Sequence, residues 1–240
     1  MSAGAQQLAL TIRLRERAVF DSYVPGSNLA AVEQLRSLAR ARQAAVVWLS
    51  GPRGVGKSHL LQASCALARS AGADGVYLPL AELVALGPEA LEGWPRGGIV
   101  ALDDVDAIAG REDWERGVFR LYRELHEAGA TLLAAAEEVP QRLPFSLPDL
   151  ASRFAAANLL PLRALDEADQ RQALQLRARS RGLELPQETA LYLQRRFRRD
   201  LPTLYQLLDA IDEASLQAQR RLTVPFIRQV LGQTPSELPE

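Results

Sequence analysis

The chain has 240 residues, 48% of them hydrophobic and 24% charged, with a formal net charge of −1. That size and balance suit one α/β domain, alone or with a small helical appendage, and exclude binding to nucleic acid through bulk charge. The single cysteine, Cys65, admits no internal bridge and fits a reduced, cytoplasmic setting. No apolar run is long enough to span a membrane, and the first residues show no secretion signal.

Residues 1–28 are mixed and turn at Pro25–Gly26. Residues 29–42 carry leucines and alanines at helical spacing with arginines between them, which predicts an amphipathic helix. The short run 44–49, closed by Ser50–Gly51, reads as a buried strand, and a helix follows from Lys57 to about Ser70. Further strands are expected at 75–80, 98–102, 131–136 and 155–162, with a helix at 112–127 that ends near Gly129. Strands alternating with helices imply a covered parallel sheet, here of five strands.

From about Arg163 onward only helices are expected. Asp166 caps a run to Arg181 that stops at Gly182; Pro186 opens a second run, and Asp200 with Pro202 a third. Thr223–Val224–Pro225 starts a fourth run, which ends near Gly232. The chain therefore divides into a leading segment 1–28, an α/β part 29–162 and an all-helical part 163–240.

Residues 51–58 read Gly51-Pro52-Arg53-Gly54-Val55-Gly56-Lys57-Ser58, the G-x-x-x-x-G-K-[ST] phosphate loop, between a strand and a helix. The glycines let backbone N–H groups curl toward an anion, and the next helix presents its positive end to the same anion. Lys57 is the sole lysine among 28 basic residues. Its compact ammonium reaches β- and γ-phosphates where a planar guanidinium fits less well. The Ser58 hydroxyl can ligate Mg²⁺. His59, next along, packs or faces solvent unless the nucleotide reaches it. The plainer reading of the whole stretch is a glycine-rich turn without ligand.

The run at 99–104 ends in Asp103 and Asp104. After a phosphate loop, the first acid holds Mg²⁺ through water, and the second orients or deprotonates an attacking water. Asp104 is one methylene shorter than the glutamate often found there. Without the phosphate loop the pair would read as a solvated turn, and Asp106 reads as exposed loop.

These motifs and the helical end resemble the AAA+ ATPase modules of the bacterial initiator (DnaA) branch. The stretches Leu147–Phe154, Gln172–Arg179 and Ala218–Phe226 resemble, within that branch, the Hda family of regulatory inactivators of DnaA. The resemblance spans nearly the whole chain, including Phe20–Asn28. It implies an α/β phosphate-loop fold with a five-stranded parallel sheet and a C-terminal helical lid. The initiator's helix-turn-helix DNA-binding domain is expected to be absent, with DNA contact weak or indirect.

The resemblance also implies residue roles. Arg153 matches the arginine finger that projects into a neighbouring protomer's nucleotide, a device worth about 10³–10⁵ in rate. Arg199 matches the lid arginine that touches phosphates, and the adenine contact is implied around Val24. ADP or ATP with Mg²⁺ is the implied cofactor. One departure is visible: Ala134–Ala136 offer no polar side chain where the fourth strand normally ends in one. With the short Asp104, this predicts weak or absent self-hydrolysis.

Residues 7–12, Gln-Leu-Ala-Leu-Thr-Ile, resemble the short motif that docks on the sliding clamp (beta subunit) of DNA polymerase III. Gln7 would contact a pocket rim, and Leu8, Leu10 and Ile12 would supply the apolar side of an extended peptide. A short edge strand or packed arm is the plainer reading. The expected function is negative regulation of replication initiation, with DnaA and the clamp as partners and a homodimer left open. The alternatives are an active AAA+ ATPase, such as a helicase loader or initiator-like motor, and a nucleotide-stabilised scaffold.

Overall fold

The computed structural model describes residues 18–41, 43–94, 97–197, 201–218, 225 and 227. The chain forms two compact units, 1–164 and 165–240. In the first, the apolar runs become strands β1 (Ala45–Ser50), β2 (Asp74–Pro79), β3 (Gly98–Asp103), β4 (Thr131–Ala136) and β5 (Asn158–Pro161). They pair in parallel in the order β2-β3-β4-β1-β5. Val47 lies level with Leu133 of β4 on one side and Asn158 of β5 on the other.

Side chains alternate between two cores, as the strand repeat of two requires. Val47, Leu49, Ile99, Ala101, Leu133 and Ala135 face helices α1 (Leu29–Ala41) and α2 (Lys57–Ser70) through Val32, Leu35, Leu60 and Leu61. Trp48, Val100, Leu102, Leu132, Ala134 and Ala136 face the other way. They meet Trp114, Val118, Leu121 and Leu125 of a long helix, Glu112–Glu127, and Leu150 and Phe154 of a short one, Pro148–Ala155. A one-turn helix α3 (Leu80–Leu83) precedes these two, which are α4 and α5. Each face buries its own core, so the central strands read as unbroken apolar runs.

Among the boundaries that differ from the sequence reading are those of β2 and β5. Leu80 opens α3 and does not end β2, because Pro79 at the strand's last paired position allows no further ladder donor. The run at 155–162 is divided: Ala155 ends α5, and only Asn158–Pro161 pairs with β1. Helix α5 was not visible as a periodic run. It is held by burial of Leu150 and Phe154, four residues apart on one face, with Phe154 4.9 Å from the Trp48 ring and 5.7 Å from the Phe145 ring.

The second unit holds α6 (Glu167–Ser180), α7 (Gln187–Arg196) and α8 (Leu201–Ala218). Asp166 caps α6 by accepting from the Asp169 N–H at 2.8 Å. Leu174, Ala178, Leu193, Leu204 and Leu208 form its core. Arg177 and Arg181 both reach Asp209, at 3.1 and 2.9 Å. The fourth expected lid helix lies outside the described residues apart from Pro225 and Ile227.

Candidate functional site

The carboxyl ends of the parallel strands share one edge of the sheet, the edge at which ligands bind in open α/β folds. β1 delivers the phosphate loop there, and β3 delivers the two acids. The loop bends as its glycines allow: Gly51, Gly54 and Gly56 have φ of 152°, 85° and 95°. Gly56 is also the N-cap of α2. A Cβ there would lie 2.5 Å from the Tyr23 ring, and one on Gly51 would lie 2.5 Å from the Leu162 carbonyl oxygen. The cradle is thus closed to any side chain at two of its corners.

Lys57, 8% exposed, donates from Nζ to the carbonyls of Gly51 at 2.7 Å and Pro52 at 3.2 Å. The ammonium is held inside the loop, ready to exchange carbonyl partners for phosphate oxygens. Pro52, Arg53 and Ser58 are exposed around it, and Val55 is buried beneath. His59 turns elsewhere: its Nε2 lies 2.9 Å from the Val19 carbonyl oxygen, and its ring 5.7 Å from that of Tyr23. It fastens the leading segment to α2.

That segment is part of the site's frame. Tyr23 Oη donates to the Val55 carbonyl at 3.0 Å, and Val24 is buried beside it in sequence. Asn28 makes two bonds of 2.8 Å to the backbone of Arg163, donating to its carbonyl and accepting from its N–H. Residues 19–28 are thereby tied both to the phosphate loop and to the chain leaving β5.

Asp103 is 1% exposed. Its Oδ1 accepts from the Asp104 N–H at 3.1 Å and its Oδ2 from the Tyr77 phenol at 2.6 Å. Burial, and then the adjacent Asp103 charge, push the Tyr77 hydroxyl far above its ordinary pKa, so it stays a donor. Asp104 stands at the surface in a left-handed conformation, φ 54° and ψ 50°, the only non-glycine with positive φ among the described residues. Lost hydration, then Asp103 and Asp106, raise its carboxyl above the ordinary range, while Lys57 and Arg53 pull it down. Asp106 is more than exposed loop: both its oxygens accept from the Glu137 N–H, at 3.1 and 3.2 Å. The Glu137 carbonyl in turn accepts from Gly51 N–H at 3.1 Å. The end of β4 is thus tied to both motifs through backbone, while Ala134–Ala136 are sealed in the core.

These residues suit a magnesium nucleotide. The cradle leaves no room for a Cβ at Gly51 or Gly56, one cation is held within it, and β3 ends in a buried carboxylate. Ser58 and Asp103 would hold Mg²⁺, the latter through water.

Arg153 belongs to a different surface. It is exposed on α5, one residue and about 100° around the helix from buried Phe154. Its guanidinium lies 5.9 Å from the Tyr122 ring, within cation–π range. Tyr122 stacks between Phe119, at 6.3 Å, and His126, at 6.0 Å. The start of α5 is fixed by Glu115, fully buried on α4, whose carboxylate accepts from the N–H groups of Gly110, Ser146 and Leu147 at 2.7, 3.1 and 2.6 Å. Gln7, Leu8, Leu10, Ile12 and Arg199 lie outside the described residues.

Sequence reasoning missed Tyr23, Asn28, Tyr77, Asp106 and Glu115. Tyr77 had a visible signal, as the one polar-tipped residue in the apolar run Val76–Pro79. Glu115 had none, since an acid in the first turn of an amphipathic helix ordinarily faces water.

Residues 166–231 match the family model described as the Hda lid domain. Among solved structures, the chain is similar to domain III of the Thermotoga maritima replication initiation protein DnaA. The identity is 20% over 91% of this chain and 97% of that one, with a TM-score of 0.77. It is similar to AMPPCP-bound DnaA from Aquifex aeolicus, at 22% identity over 83% of this chain and 66% of that one, with a TM-score of 0.63. It is also similar to the Thermotoga maritima RuvB Holliday junction branch migration motor, at 16% identity over 85% and 68%, with a TM-score of 0.59. The structural likenesses carry the AAA+ fold, and the lid match narrows it. The α/β unit thus shares the fold of those structures, and residues 166–231 of the unit that follows match the Hda lid domain.

Proposed function

We propose that this DnaA-related AAA+ protein is a negative regulator of replication initiation, which holds an adenine nucleotide and activates hydrolysis on a partner. Residues 51–58 grip ADP or ATP, and AMPPCP bound by the Aquifex aeolicus DnaA structure supports the adenine class. Mg²⁺ at Ser58 and Asp103 would neutralise phosphate charge. Gln7, Leu8, Leu10 and Ile12 dock on the DNA-loaded sliding clamp, and Arg199 contacts phosphate from the lid. Arg153 enters the site of DnaA·ATP and stabilises the charge that develops as its γ-phosphate is cleaved.

The observation that carries this reading is the setting of Arg153. It is exposed on a short helix anchored by Phe154 and Glu115, and it makes no ion pair among the described residues. A finger needs such a cation, free of a carboxylate yet rigidly based. Turnover of DnaA·ATP in the presence of DNA-loaded clamp tests it. Arg153→Ala abolishes the stimulation without changing the melting temperature, and removal of residues 1–12 abolishes its dependence on the clamp. Stimulation by both variants at the wild-type rate refutes the reading.

One observation favours a second reading, a motor that hydrolyses its own ATP: Asp104 is held strained beside Asp103 with a raised carboxyl. Robust turnover by the isolated protein, lost in Lys57→Ala, would decide for it.

A further inference from the structure

The phenol of Tyr77 has no place in the phosphate-loop motif, yet it occupies a central position. It arises from β2, on the strand that pairs with β3, level with Ala101. Its oxygen donates to Asp103 Oδ2 at 2.6 Å, a short bond of the kind made to a charged acceptor. The hydroxyl therefore touches the β3 carboxylate that would hold a divalent cation through water.

Asp103 has no other means of fixing Oδ2 among the described hydrogen bonds. Oδ1 is held by the Asp104 N–H, and the carboxylate is closed to bulk water. A carboxylate that binds a cation through water acts only if its plane is set beforehand, and the partners that set it are worth about 10–100-fold in metal affinity. The neighbouring strand β4 cannot substitute, since Ala134–Ala136 carry no side-chain donor.

We infer that Tyr77 is a positioning residue for the magnesium site, its hydroxyl setting the Asp103 carboxylate for the cation that accompanies the nucleotide. It acts through Asp103 and does not touch the phosphates. The inference rests on the nucleotide reading of residues 51–58 and adds to it the source of the cation's hold.

The test uses the full chain and a fluorescent ADP analogue, titrated with Mg²⁺ and, separately, with EDTA. Tyr77→Phe keeps the ring and removes only the hydroxyl. Its affinity in EDTA equals wild type, which also shows that the fold and the cradle are intact. The tightening that Mg²⁺ gives the wild type falls by about 10–100-fold. In an Asp103→Asn background the Tyr77→Phe change adds little further loss, because the group it sets is already gone. Tyr77→Phe with wild-type or greater tightening by Mg²⁺ overturns the inference, the latter by showing that the phenol competes with the cation. Nucleotide affinity in the wild type that ignores Mg²⁺ overturns it too, while leaving the phosphate loop standing. Absence of any nucleotide binding by the wild type overturns both.

Discussion

Glu115 offers the sharpest test of how the structure holds Arg153. Its carboxylate is fully buried and takes three backbone N–H groups, Gly110 and Ser146 on one oxygen and Leu147 on the other. Glu115→Gln preserves the shape but supplies one acceptor and one donor. With the amide oxygen kept toward Gly110 and Ser146, the amide NH₂ faces the Leu147 N–H, and that donor loses its partner. An orphaned buried donor costs about 1–3 kcal/mol, and bonds to a charged acceptor are stronger than neutral ones by about 1 kcal/mol or more. The sum is about 2–4 kcal/mol, and a melting temperature lower by roughly 4–16 °C for a chain of this size. Denaturant unfolding measures the first, and amide hydrogen exchange locates it. Gly110, Ser146 and Leu147 should exchange faster, while amides of β1 and β4 change less. Because Leu147 leads directly into α5, the same variant weakens stimulation of DnaA·ATP turnover. A stability within about 0.5 kcal/mol of wild type, with exchange unchanged at those amides, refutes the reasoning.

Gly56→Ala combines a left-handed backbone with a Cβ 2.5 Å from the Tyr23 ring, so it loses about 2 kcal/mol or more and nucleotide affinity with it. Thermal melts with and without ADP check both, and a protein that melts and binds like wild type would disprove the closed corner. Asp104 has a raised carboxyl, so the native state holds that proton more tightly than the unfolded chain does. The site therefore costs stability progressively as pH rises above the unfolded value of about 3.9, and costs nothing well below it. Asp104→Asn, which also tolerates the left-handed conformation, should raise the melting temperature at pH 7 and not at about pH 3. An equal shift at both pH values would exclude the repulsion from Asp103 and Asp106 as its cause.

Local sequence was enough for the parallel strands, the phosphate loop, the acidic strand end and the first lid cap. Each is encoded within a few consecutive residues: an apolar run of strand length, glycines where φ turns positive, and Asp166 three residues before the N–H it receives. What joins distant parts of the chain was not legible. The Tyr77 bond to Asp103 spans 26 residues, the Glu115 bond to Leu147 spans 32, and the Asn28 bonds to Arg163 span 135. A tyrosine in a strand, an acid on a helix and an asparagine after a turn are ordinary in their own neighbourhoods. Only the packing of β2 beside β3, and of α4 against the loop before α5, removes water from them and makes a hydrogen bond the sole alternative to an unsatisfied polar group. For the same reason α5 escaped detection: its helix is sustained less by its own eight residues than by Trp48 and Phe145, which receive Phe154.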